Sequence, residues 1–146
     1  MKILQKICFV LLLTTFSNVY GGSCFGGDVD KCRVLAEQGL AESQFKLGDM
    51  YLNGQGVIMN YKEAFKWTNL AAEQGHFRAQ YNLGTMYFLG QSVIQDYVMA
   101  HMYFNIAAVS GAEDAKIIRG VLEERMIPSQ VAEAQKLARE WMRTHQ

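Results

Sequence analysis

Ala36-Glu37-Gln38-Gly39 is followed thirty-six residues later by Ala72-Glu73-Gln74-Gly75, and the same step lays much of the chain onto itself. It pairs Gln44 with Gln80, Leu47-Gly48 with Leu83-Gly84, and Met50-Tyr51 with Met86-Tyr87. It pairs Gly54-Gln55 with Gly90-Gln91, Val57-Ile58 with Val93-Ile94, and Tyr61 with Tyr97. Ala64, Asn69 and Ala71 recur as Ala100, Asn105 and Ala107. That is seventeen identities over thirty-six positions without a gap. A fixed period of this length marks an array of stacked supersecondary units.

The spacing inside each unit predicts two helices. Across 41–53, Ser43, Leu47, Gly48, Met50 and Tyr51 fall three and four residues apart, the spacing of one buried helical stripe. Gly48 and Gly84 sit within that stripe, where glycine costs about 0.5–1 kcal/mol relative to alanine unless another helix presses against the bare backbone. Gly54-Gln55-Gly56 ends the first helix. Asn60, and Asp96 in the second copy, then cap a second helix; Glu63 adds a near capping box that Met99 cannot reproduce. Tyr61, Ala64, Trp67 (Tyr103 in the second copy) and Ala71 form the inner face of that helix. Short loops make the two helices antiparallel neighbours, so each unit is a helical hairpin.

Ala-Glu-Gln-Gly, Gln-x-x-Leu-Gly-x-x-Tyr, the Gly-Gln-x-Val loop, and Asn/Asp-Tyr-x-x-Ala together resemble the Sel-1-like repeat, a variant of the tetratricopeptide superfamily. The resemblance covers both full units and extends more weakly to the ends of the mature chain. It implies an all-α fold: a right-handed α/α solenoid that binds other proteins and is not an enzyme. Ser43 stands where the family usually has alanine. Ser92 replaces the second loop glycine, at a cost of about 1 kcal/mol if that position has positive φ.

Outward from the two repeats, 36–71 and 72–107, the pattern decays. Residues 27–38 read as a shortened N-terminal helix. A degenerate third unit and cap occupy 108–146, with Ala115, Ile118, Val121 and Leu122 expected inward. Met126 stands where Gly54 and Gly90 stood, and Pro128 opens a last helix, a position where its fixed φ and missing N–H do no harm. Val131, Ala134, Leu137, Ala138, Trp141 and Met142 are its expected apolar face. Glu133, Lys136, Arg139, Glu140 and Arg143 are its wet one, as a solenoid terminus requires. Ile127 is a poor N-cap for it.

At the other end, residues 1–21 read as a secretory signal peptide: Lys2 and Lys6, an apolar run from Ile7 to Phe16, then smaller polar residues. That run is shorter than the ~20 residues that span a bilayer. Cleavage after Gly21 leaves a 22–146 repeat domain; Gly22 and Ser23 are alternative cleavage points, and an uncleaved anchor is the alternative reading. A lipidated Cys24 lacks the aliphatic residue three positions earlier. Losing two lysines and no acid from a balance of 14 cations and 14 acids leaves −2, which does not suit phosphate, so nucleic acid is not an expected partner. In an oxidising compartment Cys24 and Cys32 form a plausible disulfide; the alternative is an unpaired Cys32 packed in the first helix.

Catalytic motifs are weak. Ser43-Gln-Phe-Lys46 matches the Ser-x-x-Lys of serine β-lactamases, a chemistry linked to some cysteine-rich relatives of the repeat family. Its companion Ser-Asp-Asn and Lys-Thr-Gly elements are missing. His76 reads as a corner residue and His101 as a helix-surface one; neither they nor His145 has a second ligand at helical spacing, so neither metal nor cofactor is expected. Tyr51, Tyr87, Trp67 and Tyr103 recur at the repeat period and read as core or seam.

Binding residues are then sought where the copies differ. By analogy with tetratricopeptide arrays, the first helix of each unit lines the concave face. Its outward positions are Glu42, Lys46, Asp49, Leu52 and Asn53 in one copy, and Arg78, Asn82, Thr85, Phe88 and Leu89 in the next. A cation, amides and apolar anchors suit gripping a peptide or helix of another protein. The expectation is an exported interaction module with an envelope or secreted protein as partner. An envelope hydrolase or cell-wall binder is the alternative.

Overall fold

The computed structural model describes Cys24 and residues 28–145; the signal-peptide reading of 1–21 lies outside the described residues. Seven helices follow one another without a strand among the described residues. They are α1 Val29–Glu37, α2 Ala41–Asn53, α3 Tyr61–Glu73, α4 Phe77–Leu89, α5 Tyr97–Val109, α6 Glu113–Glu123 and α7 Pro128–Thr144. Each helix from α1 to α5 packs on the next, and α7 lies along α5. The chain is an all-α solenoid of hairpins α2–α3 and α4–α5, led by the single helix α1 and closed by α6 and α7.

The glycines in the stripe are what let each hairpin close. A Cβ on Gly48 would sit 2.5 Å from Thr68 Oγ1 and 3.1 Å from the Thr68 backbone nitrogen. A Cβ on Gly84 would sit 2.9 Å from the Phe104 ring. The two loops are built alike. Asn60 accepts hydrogen bonds from the Lys62 and Glu63 N–H groups, and Asp96 from those of Val98 and Met99. The Asn60 N–H donates to the Tyr51 carbonyl at 2.9 Å, so the capping-box bond expected from Glu63 has no donor left; the Asp96 N–H donates to Tyr87 in the same way. Gly56 has φ 71° and its counterpart Ser92 has φ 65°, so the serine adopts the left-handed conformation its position demands.

The core runs the length of the array. At the N-terminal end Cys24, Cys32, Leu47, Met50 and Trp67 pack together. Cys24 and Cys32 form a disulfide-capable pair, with Cα atoms 5.0 Å apart. In the middle, Ala64, Leu83, Met86, Met102, Tyr103, Ile106 and Ala138 join α3, α4, α5 and α7. At the C-terminal end Phe104, Ala115, Leu122, Met126 and Ala134 join α5, α6 and α7. Because α4, α6 and α7 all pack on α5, eight of its thirteen residues are buried, against five in α3.

Three placements differ from expectation. His101 is fully buried rather than on a helix surface, its Nε2 2.8 Å from Glu123 Oε1, because α6 covers the side that its equivalent leaves half open. Tyr61, expected on the inner face of α3, is 36% exposed at the first helical position. Val121, expected inward, is 46% exposed, because Leu122 takes the inward position next to it. The start of α7 is closed by Gln130, whose Oε1 accepts the Ile127 N–H at 3.2 Å in place of the missing N-cap side chain. At its far end His145 stacks on Trp141 at 4.0 Å and reaches Glu73 at 2.9 Å, tying the last helix to α3.

Candidate functional site

The inter-unit corners are held by side chains the repeat specifies. Gln44 and Gln80 are buried, and each amide donates to a carbonyl eight residues earlier, of Ala36 and Ala72 respectively. Buried polar groups need such partners, which accounts for a glutamine at both positions. The Gln74 amide donates in turn to the Gln44 side-chain oxygen at 2.7 Å. His76 pins the start of α4 to α2. Its Nδ1 accepts the Ala79 N–H, its Nε2 lies 3.0 Å from Glu42, and its ring stacks on Phe45 at 4.5 Å. The hydrogen bond from His76, aided by Lys46 at 3.3 Å, holds the Glu42 carboxyl below its ordinary pKa.

From this corner a cavity of about 390 Å³ opens across the first helices of three units. Phe45 and Asp49 line it from α2; Phe77, Arg78, Tyr81 and Asn82 from α4; and the turn into α6, including Asp114, closes it. The Arg78 guanidinium is exposed and lies 5.5 Å from the Phe77 ring. Burial, with the charge of Asp114, pushes the Tyr81 phenol above its ordinary pKa, so it stays protonated as a hydrogen-bond donor. A second cavity of about 330 Å³ lies on the other side of Tyr81. Thr85, Phe88, Leu89, Phe104, Ile118, Val121 and Leu122 complete its mostly apolar walls. Phe88 is braced by the Tyr97 ring at 5.8 Å, while Leu89 is 53% exposed.

Of the ten candidate residues, Asp49, Arg78 and Asn82 meet at the first cavity, and Thr85, Phe88 and Leu89 at the second. Glu42, Lys46, Leu52 and Asn53 line neither. Leu52 packs against the middle of the core, and Asn53 donates to Asp49 at 3.0 Å. Phe45, Phe77 and Tyr81, absent from the candidates, form the aromatic walls; the period gave a signal, since Phe45 and Tyr81 are one repeat apart. Ser43 is 2% exposed, so no substrate reaches the hydroxyl of the Ser-x-x-Lys match. Among the described residues no group of three or more His, Cys, Asp or Glu side chains is placed to hold a metal ion.

Comparison with known proteins agrees with this architecture. The Sel1 repeat family model matches residues 41–76 and 77–111, which are hairpins α2–α3 and α4–α5 with their corners. A protective antigen present in uropathogenic Escherichia coli strains, displaying an SLR fold, is 31% identical over 80% of this chain with a TM-score of 0.78. A Sel1 repeat protein from Oxalobacter formigenes is 32% identical over 57% of this chain with a TM-score of 0.56. The chain spans 25% of the length of the first and 63% of the second. No curated protein matches it. Sel1 repeats generally serve as non-catalytic modules for protein–protein interaction. With two such repeats stacked in an SLR-type solenoid, the chain is a Sel1-like repeat protein.

Proposed function

We propose that the chain is an exported adaptor whose concave face holds a peptide or helix of another protein in the groove formed by the two cavities around Tyr81. The observation that carries this reading is that the two cavities share Tyr81 as a wall and between them are lined from α2, α4 and α6. A polar half with Arg78, Asn82 and Asp49 adjoins an apolar half with Phe88 and Leu89, the combination of central anchors and orienting polar groups that binding sites use. Export is supported by the basic, apolar and small-residue succession of residues 1–21 and by a cysteine pair at bonding distance, since disulfides persist in oxidising compartments.

Affinity capture from an envelope extract tests the reading, using the wild-type chain beside an Arg78→Glu, Phe88→Ala variant. A protein retained by the wild type and released by an equally helical variant is the expected result. Equal retention by both removes the groove from the binding site.

A further inference from the structure

The loops inside the hairpins carry a second regularity. In each, one apolar residue turns into the core and the next turns out. Val57 and Val93 are half-buried, while Ile58 is 91% and Ile94 90% exposed. The third hairpin repeats the arrangement in a different sequence: Met126 is buried and Ile127 is 62% exposed. One exposed isoleucine needs no explanation. Three at the same place in successive hairpins form a row along one edge of the solenoid, and Gln95, Asp96 and Tyr97 share a recess with Gln130 that brings the last two loops together.

The surroundings indicate what covers this row. Residues 54–59 and 90–95 contain no charged side chain, and the third loop carries one charge of each sign, Glu124 and Arg125, before Ile127. Tyr61 and Tyr97 follow at the first helical positions, immediately behind the tips. The three isoleucines offer roughly 100 Å² of apolar surface each, far short of the roughly 800 Å² that a specific protein partner covers on one side. A bilayer sets no such minimum and demands no matched shape. Apolar tips backed by tyrosines follow the profile of its interface, with aliphatic groups deep and amphipathic rings at the headgroups. No helix among the described residues is long and apolar enough to cross.

We propose that this edge, with Ile58, Ile94 and Ile127 as its tips, docks on the surface of a lipid bilayer. It uses none of the groove residues, so the groove stays open to its partner. Because the two repeat loops are uncharged, docking does not require anionic lipid and resists salt, unlike attachment through polybasic segments.

The test uses the full chain with tryptophan placed by Ile58→Trp, Ile94→Trp, Ile127→Trp and, as control, Val109→Trp, each at an exposed position; Val109 lies at a corner on the opposite edge. Vesicles of phosphatidylcholine with brominated acyl chains quench tryptophans that reach the hydrocarbon. After subtracting the wild-type signal from Trp67 and Trp141, quenching at the three edge positions is expected to exceed that at Val109→Trp by about twofold or more, and to persist at high salt. Quenching that is absent at the edge, or equal in the control, overturns the proposal. So does a blue shift that depends on protein concentration without vesicles, since the edge would then meet a second copy.

Discussion

Replacing Gly48 by alanine sets two effects of known size against each other. Alanine in a helix interior is favoured over glycine by about 1 kcal/mol. At Gly48 the added methyl would meet Thr68 Oγ1 at 2.5 Å, the Thr68 nitrogen at 3.1 Å and the Ala64 carbonyl oxygen at 3.3 Å. The closest atom belongs to the buried, β-branched Thr68 side chain and the other two are backbone, so turning Thr68 relieves only the first contact and α2 must still move away from α3 by a few tenths of an ångström. Overpacking of this kind costs about 1–3 kcal/mol, and the backbone contacts place Gly48 at the upper end. The expected balance for Gly48→Ala is a loss of about 2 kcal/mol, or about 8 °C in Tm for a domain of this size. Gly84→Ala, against the buried Phe104 ring, should lose a similar amount. Gly120 supplies the internal control: it lies in α6, and a methyl added there would have nothing within 4 Å, so Gly120→Ala should gain up to about 1 kcal/mol. Urea unfolding followed by circular dichroism measures all three, with the m-value as the check on two-state behaviour. If Gly48→Ala is as stable as the wild type while Gly120→Ala gains, close helix approach is not the reason for glycine in the stripe.

Two further perturbations have definite signs. Ser92→Gly removes a side chain from a residue at φ 65°, and a thermal melt should show a gain of about 1 kcal/mol. Stability should also fall as pH rises through the ordinary histidine range and above it, because of His145. The Trp141 carbonyl first, and the Glu73 carboxylate second, raise its pKa above the ordinary value; its stabilisation is therefore complete below the unfolded pKa and lost as pH climbs through the folded one. Melts across that range should show the slope in the wild type and its loss in His145→Gln.

The repeat made the hairpins legible because local chemistry recurs with it. Gly48 and Gly84, the caps Asn60 and Asp96, and the serine at position 92 were all interpretable from spacing, since each acts within its own hairpin. What stayed hidden depends on contacts between units. The pairing of Gln44 with Gln80 carried no role with it, because the carbonyls they satisfy belong to the preceding helix. His101 looked like a surface residue because its partner, Glu123, is twenty-two residues away in a unit where the repeat has decayed. The groove was half legible. Outward positions that differ between copies led to Arg78, Asn82 and Phe88, but the aromatic walls Phe45 and Tyr81 were passed over because that search set aside positions that stay alike.

The three corners at Gly39, Gly75 and Gly111 all have positive φ, and after each of them the next helix begins two residues later. The joints are thus interchangeable, and a thirty-six-residue insertion at one of them would present the chain beyond with the same angle of entry. Lengthening by gene duplication would then leave both termini as they are while adding a further helix to the wall of the groove. A chain organised in this way can change the length of its groove by unequal crossing-over, one unit at a time, with every intermediate length keeping the same joints.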